Sequence, residues 1–212
     1  MKHSLAFRLL LICLLSIRLL PAQESGPGPA DFQFHTPAAW RGEVIKLPPG
    51  FARDLKWHGV ESIKFAPGMF KAESESFFSY VLVFLLSKDD DVSGKAVHAQ
   101  ILTYYKGLAK AVMGGKRMSV NTDEFKLKLK ATDESKAIPA DVGKGEVSIW
   151  TGTLDWIEPF ATQKTQTLNI EVHLWKKGEQ PVLYFTVSPQ GKDHAIWKEM
   201  HGYREKFQIK SE

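Results

Sequence analysis

Phe77-Phe78-Ser79-Tyr80-Val81-Leu82-Val83-Phe84-Leu85-Leu86 is the most apolar run of the chain beyond its N-terminal leader. Ten residues are too few to cross a bilayer as a helix, which takes about 20. The run is rich in aromatic and β-branched side chains, which favour extended backbone. Both alternate sets of side chains are apolar, so it reads as a central strand buried on both faces. Such a strand needs neighbours on each side and cover above and below, and the rest of the chain supplies them.

Downstream, Val97, Ile101, Tyr104, Tyr105, Leu108 and Val112 fall at helical steps of three and four. Asp89-Asp90-Asp91 precede this helix, at the end where carboxylates suit the helix dipole, and Gly114-Gly115 end it. Four extended stretches follow, near 125–131, 145–157, 165–176 and 182–187. The third alternates most cleanly: Leu168, Ile170, Val172 and Leu174 against Asn169, Glu171, His173 and Trp175. A helix from about Asp193 to Phe207 closes the chain, with Ile196, Met200, Tyr203 and Phe207 as its core stripe. Upstream, Gly42–Leu47 and Leu55–Phe65 read as extended, with Pro48-Pro49-Gly50 as the turn after the first.

This order predicts one α+β domain over 39–212: a single antiparallel sheet with a long mid-chain helix and a C-terminal helix packed on it. The element order and the Leu47-Pro48-Pro49-Gly50-Phe51 turn resemble the Mog1/PsbP-like α/β/α sandwiches. That resemblance implies a layered α+β fold and carries over no functional residue.

The N-terminus has the layout of a secretory signal peptide. Lys2, His3 and Arg8 form a basic start, Leu9–Leu15 an apolar centre, and Ala22 a small residue for cleavage. A retained membrane anchor fits less well, because Arg18 interrupts the run. Lipidation at Cys13 fits less well too, because Ile12 is bulky. The expected organisation is a leader over 1–22, a Gly/Pro-rich flexible spacer over 23–38, and the domain. Cys13 is the only cysteine, so the mature chain has no disulfide and no cysteine-ligated metal. Export without disulfides points to a bacterial envelope, periplasmic or extracellular, with membrane contact only through the uncleaved leader.

The formal charge of +4 is largely the leader's, since removing residues 1–22 leaves 25 basic and 24 acidic residues. No basic run of the kind nucleic acid requires is present. Lys126, Lys128 and Lys130 come closest, and they alternate with Phe125, Leu127 and Leu129 as the wet side of a strand.

Motifs for chemistry are absent. No His-Glu-x-x-His, nucleophile elbow or phosphate loop occurs. His194 and His201 are about 10 Å apart along a helix, too far to share one metal ion. Asp89-Asp90-Asp91 lack the alternation and late glutamate of a calcium loop and read as caps. Asp155 and Glu158 flank Trp156 at a spacing that puts them on opposite faces of an extended chain. No cofactor or metal is expected.

The aromatic residues are the remaining signal. Trp175 shares its strand face with Glu171 and His173, and Trp150 and Trp156 share a parity on the neighbouring strand. If these faces coincide, Trp150, Trp156, Glu171, His173 and Trp175 form an aromatic and polar surface able to bind a small apolar ligand or another envelope protein. Otherwise the indoles are packing, each N–H finding a local acceptor. The leading expectation is an exported, non-catalytic binding protein. Two alternatives stand: a hydrolase built from scattered histidines and carboxylates, such as His173 and Glu171 joined by Ser79 or Tyr105, and a structural or assembly factor of the envelope.

Overall fold

In the computed structural model, residues 31–133 and 138–210 are described. The apolar run forms strand β4 (Tyr80–Leu86), every residue of which is buried. It lies inside a seven-stranded antiparallel sheet with β2 (Arg41–Leu47), β3 (Gly59–Phe65), β5 (Lys126–Ala131), β6 (Ser148–Ile157), β7 (Thr165–Lys177) and β8 (Gln180–Ser188). The order is β2-β3-β4-β8-β7-β6-β5. After β4 the chain crosses to the far edge through helix α1 (Gly94–Gly115), then returns strand by strand until β8 pairs with β4. The β7–β8 hairpin turns on Gly178, whose φ of +59° is costly for any residue with a Cβ.

The sheet has two covered faces. α1 packs on one, over a layer that includes Trp57, Phe78, Phe84, Leu154, Trp156 and Phe185. Helix α2 (Ala195–Lys206) packs on the other, its Trp197 set among Phe34, Trp40, Val83, Trp175, Tyr184 and Phe207. The architecture is therefore α+β with two helices on antiparallel strands.

The strands form two sheets and not the single sheet expected. A second, two-stranded sheet joins β1 (Asp31–Gln33) to β9 (Gln208–Lys210), with Asp31 opposite Lys210. β1 lies within the stretch that composition marks as spacer, and three-residue strands leave no periodic signal. The leader and the earlier part of that spacer lie outside the described residues. Both helix stripes also rotate from expectation. In α1 the buried line runs through Ala109 and Met113, with Leu108 half-buried. At Gly107 of the same helix a Cβ would sit 2.5 Å from the Phe51 carbonyl oxygen, so the loop after β2 packs directly on helix backbone. In α2 the buried residues are Ile196, Trp197, Met200 and Arg204, whereas Tyr203 is half-buried.

Candidate functional site: the face beneath the C-terminal helix

Register decides the fate of the expected aromatic surface. Trp150 pairs with Val172 and Trp156 with Gln166, so both indoles project with Val172 toward α1. Trp175, Glu171 and His173 project to the opposite face, toward α2. The two sets of tryptophans are thus separated by the thickness of the sheet. Trp156 and Trp175 are also closed off, at 1% and 2% exposure, while Trp150 is half-buried beside the start of α1. Indole N–H groups find local acceptors: Trp156 donates to Gln166 Oε1 (3.2 Å), Trp175 to Asp141 Oδ2 (2.9 Å) and Trp197 to the Gln190 carbonyl (2.9 Å). Burial with a satisfied N–H is how packing tryptophans behave.

Glu171 and His173 have different surroundings although they are two residues apart. Glu171 is the hub of an ionic cluster. Its Oε2 accepts from Arg204 Nη1 (2.7 Å) and contacts His201 Nε2 (2.9 Å), and its Oε1 accepts from Lys192 Nζ (2.7 Å). Burial alone would push this carboxyl up. The His201 hydrogen bond and the Arg204 and Lys192 charges outweigh it, and hold Glu171 well below the usual carboxylate range. Arg204 is 1% exposed and also donates to Thr186 Oγ1 (3.0 Å). It occupies the core stripe of α2, so the cluster bolts the helix to β7 and β8. The sequence does hold a signal for it: Trp197, Met200 and Arg204 keep helical spacing, and a cation on an apolar stripe requires a partner.

His173 is buried, and neither ring nitrogen has a hydrogen-bond partner among the described residues. Desolvation, helped by the Arg204 charge, brings its pKa down to about 3, so the ring is neutral. Tyr184, directly across on β8, has a buried hydroxyl that is also unpartnered. The expected His173–Glu171 dyad is therefore not formed. Ser79 hydrogen bonds instead with Ser188 (2.8 Å), and Tyr105 with Tyr80 under the other helix. The histidine that does meet Glu171 is His201, and no serine, threonine or cysteine hydrogen bonds to it among the described residues.

Other acidic candidates have local duties. Asp155 accepts from Thr167 Oγ1 (2.6 Å), while Glu158 is fully buried and takes the backbone N–H groups of Phe160, Ala161 and Thr162. Asp91 accepts from the amide of Ser93, the N-cap of α1, and Asp90 holds His58. No group of three or more His, Cys, Asp or Glu among the described residues is placed to hold a metal ion.

What remains open lies beside the Glu171 cluster. Directly paired residues share a face, so the register writes this surface as rungs. Lys130, Thr151, Glu171 and Thr186 form one, Lys128, Thr153, Asn169 and Ser188 the next, and Lys126, Asp155 and Thr167 the third. α2 and the loop before it cover the β7–β8 end, where Asn169 Nδ2 donates to the Gln190 carbonyl (3.0 Å). Among the described residues the β5–β6 end has no such cover: its lysines are exposed and Thr151, Thr153 and Asp155 half-exposed. A shallow depression of about 420 Å³, lined by residues such as Lys192, His194, Lys198 and His201, adjoins α2 on the same side.

No family model matches this sequence, and no curated protein does. Among solved structures, the fold is similar to the Ran-binding protein Mog1p of Saccharomyces cerevisiae, at 13% identity and a TM-score of 0.35, covering 80% of this chain and 96% of that one. At that distance the likeness assigns neither activity nor partner to this chain.

Proposed function

We propose that this chain is an exported, non-catalytic envelope protein that binds another envelope protein through the uncovered β5–β6 half of the sheet face that carries α2. The observation that supports this reading is the asymmetry of cover. On the α1 face a buried layer runs from β3 to β5 through Ile63, Phe84, Phe185, Leu154 and Leu127, while on the other face the cover given by α2 stops at the Glu171 cluster and leaves the three lysines exposed and Thr151 and Thr153 half-exposed. The leader-like N-terminus supplies the address. A small apolar ligand is the weaker form of the idea, because the indoles that would line its site are divided between two layers.

The test uses the full-length gene in a Gram-negative host, with a photo-crosslinking amino acid at Thr153 and, separately, at exposed Lys110 on α1. The reading expects a shortened chain in the osmotic-shock fraction. It also expects one discrete adduct from Thr153, absent from Lys110, whose protein binds the purified chain. An uncleaved, cell-retained chain, or equal adducts from both positions, would overturn it.

A hydrolase is the second reading, favoured by one contact: the His201–Glu171 pair at 2.9 Å, with the His201 side chain 27% exposed beside the depression. A His201→Gln variant that abolishes esterase or glycosidase turnover while leaving the urea midpoint in place would establish it.

A further inference from the structure

Resting on the partner-binding reading above, we infer that the occupant of this face is an extended acidic segment of the partner, laid along β5 with carboxylates at alternate positions opposite Lys128 and Lys130, and with Lys126 contributing charge beyond them. The three lysines are exposed, project to one face and form no ion pair among the described residues. β5 is an end strand of the sheet, so one of its sides has no strand neighbour among the described residues. Same-face residues repeat about every 6.5–7 Å along a strand, and a second strand carrying acids at every other residue repeats at that same interval. Cross-strand pairs of opposite charge stabilise such an arrangement, whereas like charges directly opposite destabilise it. The lysines therefore exclude a second copy of β5 and admit an acidic strand.

Backbone geometry narrows the register. Thr132 donates its amide to Ile149 of β6, so by alternation Lys126, Lys128 and Lys130 turn their backbone groups inward and Leu127, Leu129 and Ala131 turn theirs outward. The Leu127 carbonyl is already held by His98 Nε2 of α1 at 2.9 Å. An added strand thus finds ladder groups at Leu129 and Ala131, which sets its acids directly opposite Lys128 and Lys130, while Lys126 contributes charge beyond the end of the ladder. Peptide backbone answers such an edge as β-augmentation. A polysaccharide or lipid surface could match the charge but not the ladder.

The probes are synthetic peptides added to the full purified chain. One carries glutamate at every second position between threonines, and the other has the same composition with its glutamates consecutive. Heparin and phosphatidylglycerol vesicles run alongside. We expect the alternating peptide to bind at least tenfold tighter than the consecutive one, and to weaken about tenfold or more between 50 and 300 mM NaCl. Binding should slow hydrogen exchange at the Leu129 and Ala131 amides. The Lys126→Gln, Lys128→Gln, Lys130→Gln triple variant should lose at least tenfold in affinity with an unchanged urea midpoint. Equal binding of the two peptides, or binding of heparin or vesicles without the alternating peptide, overturns the proposal, as does the absence of any binding. A Thr153 adduct that survives in the triple variant would sink the acidic strand and leave the partner-binding face standing.

Discussion

Each face of the seven-stranded sheet takes in a glutamate, Glu61 fully and Glu171 in large part, and treats it oppositely. Under α1, Glu61 sits among aromatic rings with one hydrogen bond, from Tyr104 Oη (2.8 Å), and its other oxygen has no partner. Desolvation dominates there and pushes its pKa up to about 8, so the group is mostly neutral near pH 7. Under α2, Glu171 meets Arg204, His201 and Lys192 and stays ionised. Depth alone does not decide the charge of a buried carboxyl; the count of cations and donors facing it does. On the α1 face Glu61 is taken in with a tyrosine hydroxyl as its partner, and its carboxyl is mostly neutral near pH 7. The α2 face must bring polar groups inward to serve its acid, and its cover ends where they do.

The sharpest way to break this comparison is to strip the ionic hub. Arg204→Ala leaves Glu171 and Thr186 without their buried donor, and should lower urea stability by about 3–5 kcal/mol. A loss below about 1 kcal/mol would mean that α2 is held by its apolar stripe alone.

Glu61→Gln tests the other side. Because the folded pKa lies above the unfolded value of 4.5, the contribution of Glu61 is fully present below that value and drains away as pH rises toward about 8. The glutamine variant should therefore match the parent at pH 4 and exceed it by roughly 5 kcal/mol at pH 9. Parallel stability curves from pH 4 to 9 would show that Glu61 is not held neutral.

His173 has the reverse sign. Its depressed pKa means stability that is full above about 6.5 and lost as pH falls toward about 3. His173→Leu removes two unsatisfied nitrogens, so it should gain about 1–3 kcal/mol at pH 7 and flatten the acid limb. A loss at pH 7 would assign the ring a polar partner in solution. The smallest effect belongs to Lys88→Ala. Its pair with Glu179 is long (3.9 Å) and exposed, and such pairs contribute about 0–1 kcal/mol.

Much of the architecture was legible before any coordinates. β4, the even–odd split of β7 and both helices follow from periodicity, which reports which side chains are buried together. What periodicity does not report is register between strands. Trp150 and Trp175 lie on correctly read strands, yet only their pairing through Val172 shows that they face apart. The same limit applied to the site. The partners of Glu171, which are Lys192, His201 and Arg204, come from a helix and the loop before it, at sequence separations of 21 to 33. His173 was paired with Glu171 by proximity along the strand, where side chains on one face stand too far apart to bond.

The β1–β9 ribbon has a mechanical consequence. Its two strands run antiparallel, with Asp31 opposite Lys210, so the outermost residues of the ribbon leave it at the same end. Force applied to the two ends of the domain therefore peels the ribbon one rung at a time and never shears it. The ribbon is the first element to open, and load reaches β4 or β8 only after its three rungs have parted.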